Sequence, residues 1–316
     1  MERKTRIDAL GATVLVLFSA LLGLNQVLVK LVNAGMHPIF QAGLRSACAF
    51  FPVLLFALLM RRRLNISDGS LVPGIIVGCL FAIEFTVVFI GIDLTSVARA
   101  SVLFYTMPLW VAVAAHFLID GETLTQRRVI GLALACIGVV VALVYNSNPV
   151  SDKSLSGDLL CLLGSVLWAA IALLARTTSL SKSSPEMQLL YQLAVSAPLL
   201  LLGAYWIGET WREPTGFIVG IFAFQVLVVV SIGFLSWFWV LSVYPAADMA
   251  VYSFLAPVFG VLFGYVILKE TLGWNVLLAL VLVSVGIALV NSRSAKSSNL
   301  HLKTATQLSQ RFIQSA

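Results

Sequence analysis

The sequence predicts an all-α polytopic membrane protein: ten transmembrane helices, arranged as two inverted-topology repeats of five. Three observations carry this prediction. Hydrophobic residues make up 60% of the 316 and charged residues only 11%, against roughly 45–50% and 25% in soluble domains. The apolar residues gather into runs of bilayer length, and a helix needs roughly 20 of them to cross the hydrocarbon core. Landmarks of the first half recur in the second, and an odd number of spans per copy turns the second copy over.

The spans fall at residues 9–32, 38–60, 70–92, 97–119, 127–146, 157–178, 186–207, 215–241, 247–268 and 273–292. The first follows Arg3, Lys4 and Arg6. It runs to full span length with no small-residue cleavage site near its end, so it reads as a span and not a signal peptide. The uncharged stretch from Pro214 to Ala247 is too long for one helix, and Pro245 supplies the break between the eighth and ninth spans.

Lysine and arginine placement sets the direction of insertion. With the N-terminus inside, cytoplasmic segments hold 14 of the 20, among them Arg61 to Arg63, Arg127, Arg128, Arg176 and Lys182. External loops hold only Lys30, Arg99, Lys153, Arg212 and Lys269, with Arg45 left inside a span. Both termini are therefore expected in the cytoplasm. The resulting division is a cytoplasmic N-terminus (1–8), a first repeat (9–146), an external linker (147–156), a second repeat (157–292) and a mostly disordered cytoplasmic tail (293–316). The lipid bilayer accounts for the basic clusters, and no nucleic-acid partner is called for.

The repeat is legible residue by residue. Leu94 to Leu143 holds Pro108, then Gly121-Glu122-Thr123-Leu124, then Gly138; Val243 to Val290 holds Pro257, then Lys269-Glu270-Thr271-Leu272, then Gly286. Gly11 matches Gly157, Ser19 matches Ser165, Lys30 matches Arg176, and Phe51-Pro52 matches Ala197-Pro198. Here the stretch Leu94-Thr95-Ser96-Val97-Ala98-Arg99-Ala100-Ser101, with Pro108, Gly121-Glu122, Gly131 and Gly138, resembles the drug/metabolite transporter superfamily, EamA-type. The second copy resembles the matching half through Ala246-Ala247, Pro257, Glu270 and Gly286, departing from the pattern at Lys269. The resemblance implies a bacterial inner-membrane carrier of amino acids or other small metabolites, often exporting, with a central cavity lined by spans 1, 3, 4, 6, 8 and 9.

Five residues are candidates for binding a small-molecule substrate: Glu84, Asn25, Trp168, Tyr252 and Arg45. A carboxylate at mid-span is costly in lipid and tends to face a cavity or a proton path. Glu84 therefore reads either as a ligand or proton acceptor or as half of an ion pair, with Arg45 a candidate partner. Arg45 can bind a substrate carboxylate through its forked donors or reach the headgroups. Asn25 and Gln26 can hydrogen-bond across helices. Tyr105, Trp168, Trp237, Trp239 and Tyr252 read first as interfacial-belt residues; Trp168 and Tyr252, nearer mid-span, are the better candidates among them for stacking on an amphipathic ligand. Arg99 and Asp248 read as helix-end anchors or gate residues, and Glu122 and Glu270 as helix-terminus elements.

The leading function is a secondary transporter of small organic metabolites, including amino acids, working in efflux by alternating access around a midplane cavity. Proton coupling through Glu84 is one reading and uncoupled exchange the other. No P-loop pattern is present, so nothing points to ATP. No cofactor is called for: the three histidines lack metal-site spacing, and Cys48, Cys79, Cys136 and Cys161 read as small hydrophobes. The Gly-x-x-x-Gly pairs at Gly74, Gly216 and Gly260 read as packing within one subunit, which suits a monomer. The alternatives are a membrane receptor or assembly protein without transport, and an intramembrane enzyme. The enzyme is disfavoured because neither a nucleophile with its base nor His-Glu-x-x-His occurs.

Overall fold

The computed structural model describes residues 7–62, 64–119, 124–144, 152–208, 210–233, 236, 240, 243–244, 252 and 254–291. The first repeat contains α1 (Ala9–Asn33), α2 (Pro38–Leu59), α3 (Leu71–Leu94), α4 (Val97–Phe104), α5 (Met107–Leu118) and α6 (Gln126–Val144). The second contains α7 (Asp152–Thr177), α8 (Pro185–Ile207), α9 (Gly216–Phe224) running into a π-helical segment π1 (Gln225–Ile232), α10 (Leu255–Leu268) and α11 (Trp274–Asn291). Seven elements, with α4 and α5 counted together, are long and apolar enough to span a bilayer, and three shorter apolar ones occupy the eighth to tenth positions. The chain is thus a ten-span helical membrane protein in two repeats. The near face is the one where α1 begins, and the far face is the one where it ends.

Two spans depart from a plain helix. The fourth, expected as one helix over 97–119, breaks at Tyr105–Thr106 into α4 and α5. Pro108 lacks an N–H and disfavours helical backbone just before it, and the Thr106 Oγ1 donates to the Leu103 carbonyl at 2.6 Å. The eighth widens at Gln225 into π1, where the Ser231 hydroxyl donates to the Val226 carbonyl five residues back at 3.0 Å. By contrast, Pro52 in α2 and Pro198 in α8 sit inside continuous helices. The tail after residue 291, the linker from 147 to 151, Trp237, Trp239, Asp248 and Glu122 lie outside the described residues.

Helix pairs join the two repeats: α2 lies against α8, α3 against α7, α1 against α10 and α6 against α11. Small residues set how closely they approach. A Cβ on Gly131 would meet the Gly286 carbonyl at 2.7 Å, and one on Gly286 would meet the Gly131 carbonyl at 2.6 Å. Gly23 fits against the backbone of Gly260 in the same way. The α2–α8 pair is clasped at both ends by repeat-related loops. On the far face the His37 N–H donates to the Thr210 carbonyl and the Arg212 N–H to the Gly35 carbonyl, both at 3.0 Å. On the near face Ser179 donates to the Gly69 carbonyl at 2.7 Å, and Arg62 pairs with Glu186 at 3.0 Å.

Candidate functional site

Glu84 stands 13 residues after the start of α3 and 10 before its end, roughly 15–20 Å from either terminus at the helical rise. It is 3% exposed. Arg45, on α2, is 7% exposed, and its guanidinium lies over the rings of Phe85 and Phe89 at 5.3 and 5.7 Å. Arg45 therefore stands against α3 beside Phe85, the residue that follows Glu84. Arg45 and Glu84 make no direct ion pair, unlike Arg62–Glu186, Arg99–Asp158 and Arg212–Asp93. An arginine and a glutamate are thus buried in one layer without an ion pair between them.

Uncharged polar groups converge on the same level. Gln41, one helical turn before Arg45 and so on the same face, donates its Nε2 to Gln225 Oε1 at 3.2 Å. Gln225 Nε2 in turn donates to Asn25 Oδ1 at 3.2 Å. This amide chain ties α2, π1 and α1 together, with Gln41 and Gln225 fully buried. Gln26, next to Asn25 in α1, is buried as well. The Oε1 atoms of Gln26 and Gln41 are buried acceptors with no protein partner, a situation that costs free energy unless something else donates to them.

An aromatic wall completes the layer. Phe81, Phe85 and Phe89 stack along one face of α3 with centroids 4.0 and 5.2 Å apart. Trp168 on α7 stacks on Phe104 at 5.0 Å and meets Tyr105 edge-on at 6.4 Å. Antiparallel α3 and α7 meet at Gly91 with Gly157 and at Val88 with Gly164, a register that brings Glu84 level with Trp168. Of the five candidates, the structure thus gathers Glu84, Arg45, Asn25 and Trp168 into one zone. Tyr252 lies elsewhere, packed with Leu15, Val240, Val243 and Tyr244 towards the near face, where its carbonyl accepts from Ser19 at 3.4 Å.

A lateral groove of about 530 Å³ between α2 and π1 is lined by apolar residues including Phe51, Pro52, Leu55 and Leu227. It offers no charged group. Arg99, read as an anchor or gate, is tied by its Nε at 3.0 Å to Asp158, which is fully buried and also accepts from Thr95 at 2.7 Å. Glu270 accepts from the backbone N–H groups of Val97 and Ala98 at 2.7 and 2.9 Å, satisfying the free donors at the start of α4.

Two copies of one family pattern fill the chain: the EamA-like transporter family profile matches residues 9–144 and again residues 155–292. The chain belongs to the EamA-like transporter family. Among its relatives is a transporter of Bacillus subtilis strain 168, YoaV, 24% identical over 81% of this chain and 89% of the relative. A second B. subtilis transporter, YvbV, is 27% identical over 92% of this chain and 93% of its own length. A probable amino-acid metabolite efflux pump of Salmonella typhimurium strain LT2 is 27% identical over 84% of this chain and 89% of that protein. A solved crystal structure superposes with a TM-score of 0.63 at 19% identity, covering 88% of this chain and 95% of the other; it supports the fold alone.

For this EamA-like transporter, neither Gln41 nor Gln225 stood among the candidates that the sequence offered. The signal for Gln41 was its place four residues before Arg45. No local signal marked Gln225, because its partners come from spans about 200 residues away.

Proposed function

We propose that this EamA-like protein is a secondary carrier that moves a small organic metabolite by alternating access around the layer of Glu84, Arg45, Gln41, Gln225, Asn25 and Trp168. The observation that carries this reading is a buried arginine and a buried glutamate with no ion pair between them, in a layer that also holds two unpartnered amide oxygens. Such groups are costly in a membrane interior unless they serve a solute path. The inverted repeat supports the mechanism, since two pseudo-symmetric halves can rock about a central site. The break at Tyr105–Thr106 and the widened π1 supply irregular backbone beside it.

Amino acids are the first substrate class, and export the first direction, on the strength of the Salmonella relative's name. The bias of lysine and arginine supports a bacterial inner-membrane location with the near face and both termini cytoplasmic. The test is uptake and counterflow of a radiolabelled amino-acid mixture in proteoliposomes. Flux above protein-free vesicles is expected, and none with amino acids or with a broader metabolite mixture would overturn the reading. Proton coupling is tested by Glu84→Gln, which keeps shape but cannot exchange a proton. The variant should lose accumulation driven by a pH gradient while retaining counterflow, and unchanged pH-driven accumulation would remove Glu84 from coupling.

A further inference from the structure

We propose that Arg45 and Glu84 form a two-ended clamp for a zwitterion: Arg45 takes the carboxylate of an α-amino acid, Glu84 its ammonium, and the phenylalanine wall its apolar side chain. This assignment rests on the carrier reading above and deepens it by naming which group reads which end.

The geometry points the same way at each end. The Arg45 guanidinium is laid over Phe85 and Phe89, so cation–π contact fixes the plane of its fork. It has no hydrogen bond to a described residue, which leaves the paired donors that match a carboxylate unspent. In the same layer stand the Glu84 carboxylate and the unpartnered Oε1 atoms of Gln26 and Gln41. These groups only accept, and an ammonium carries three N–H donors and no acceptor. A zwitterion inserted between Arg45 and Glu84 gives four charges of alternating sign in a low-dielectric layer, with no net charge brought in. A ligand with one charged end leaves the opposite protein charge buried and unpaired, which is the expensive case.

The side-chain end follows from what borders the charges. Phe85 on α3 and Trp168 at the level of Glu84, both half-buried, border the charges with aromatic surface. An aliphatic or aromatic side chain removes that surface from water, whereas a second charged group finds no partner there. Leucine and phenylalanine are therefore the expected substrates, with lysine and glutamate excluded.

The experiment measures counterflow of labelled phenylalanine in proteoliposomes, with competition by phenethylamine, which lacks the carboxylate, and by 3-phenylpropionate, which lacks the ammonium. Each should compete at least about 100-fold more weakly than phenylalanine, since a site built for a polar group rejects an analogue lacking it by large factors. In Arg45→Gln the gap between phenylalanine and phenethylamine should collapse while 3-phenylpropionate stays weak; in Glu84→Gln the gap to 3-phenylpropionate should collapse instead. A merely structural role would lower all three ligands by one common factor, and that result overturns the clamp. Equal competition by the three ligands in the unmodified protein overturns it without any variant, so misfolding of a variant does not protect the idea. Flux of other metabolites with none of phenylalanine or leucine overturns the clamp and leaves the carrier reading standing. No flux of any solute removes that reading itself.

Discussion

The two repeats place equivalent residues at opposite faces, and the chemistry at the two places differs. Thr95 and Tyr244 are counterparts at the ends of the third and eighth spans, and Gly157 and Gly11 are counterparts near the starts of the sixth and first. On the far face, Thr95 donates to Asp158, which is fully buried and salt-bridged by Arg99. On the near face, the Tyr244 hydroxyl donates at 2.5 Å to Asp8, which is exposed and caps α1 by accepting from the Gly11 N–H at 2.9 Å. The same hydroxyl-to-carboxylate plan thus closes both junctions, dry at one face and wet at the other. Low dielectric makes the far-face charges strongly interdependent, while water screens the near-face bond. The repeat transmits a backbone plan and leaves the strength of each junction to the side chains. For a carrier, unequal junctions mean unequal resting populations of the two open states.

The largest expected effect tests the dry junction. Removing one partner, as in Asp158→Asn or Arg99→Met, should destabilise the protein by about 3–5 kcal/mol because it strands a buried charge, whereas replacing both with apolar residues should recover much of that loss. Thermal unfolding of the detergent-purified variants checks this, and single variants as stable as the parent would erase the contrast.

The matched glycines sharpen it next. A Cβ on Gly157 would meet the Gly91 carbonyl and the Thr95 nitrogen, both at 2.9 Å, whereas one on Gly11 would meet the Tyr244 ring at 2.6–3.0 Å. Backbone cannot step aside and a ring can, so Gly157→Ala should cost about 1–3 kcal/mol of overpacking and Gly11→Ala less. Equal losses in melting experiments would mean that the ring is as fixed as the backbone.

A smaller effect is expected at Glu270, whose two oxygens serve two N–H groups of α4. Glu270→Gln keeps one good acceptor and loses the charge at the helix N-terminus, a change of about 1–2 kcal/mol. The smallest is Tyr244→Phe, which deletes a hydrogen bond to an exposed carboxylate and should cost about 0.5–1.5 kcal/mol or less. Its readout is access rather than melting. With the four native cysteines replaced, a cysteine at Leu15, buried beside Tyr244, should be alkylated faster in the variant. Unchanged labelling would mean that this hydroxyl does not hold the near face closed.

Periodic apolar runs, the bias of basic residues and the paired prolines and glycines made the ten spans and the inverted repeat readable from sequence alone. Bilayer insertion imposes length, and duplication leaves its trace in the chain itself. Glu84, Arg45, Asn25 and Trp168 were also visible, because a charge, an amide or a lone aromatic stands out in an apolar run. Four things came only from the tertiary structure: the widening at Gln225, the partnership of Gln41 with Gln225, the joining of Arg99 to Asp158, and the departure of Tyr252 to the near-face cluster. Each depends on which helix faces stand opposite one another. Spans that are apolar on all sides carry little record of facing, so rotation about the helix axis was decided by glycine contacts and buried hydrogen bonds between segments distant in the chain. The sequence therefore determined how many times this protein crosses the membrane and in what pattern. Only packing decided which polar groups meet in its middle.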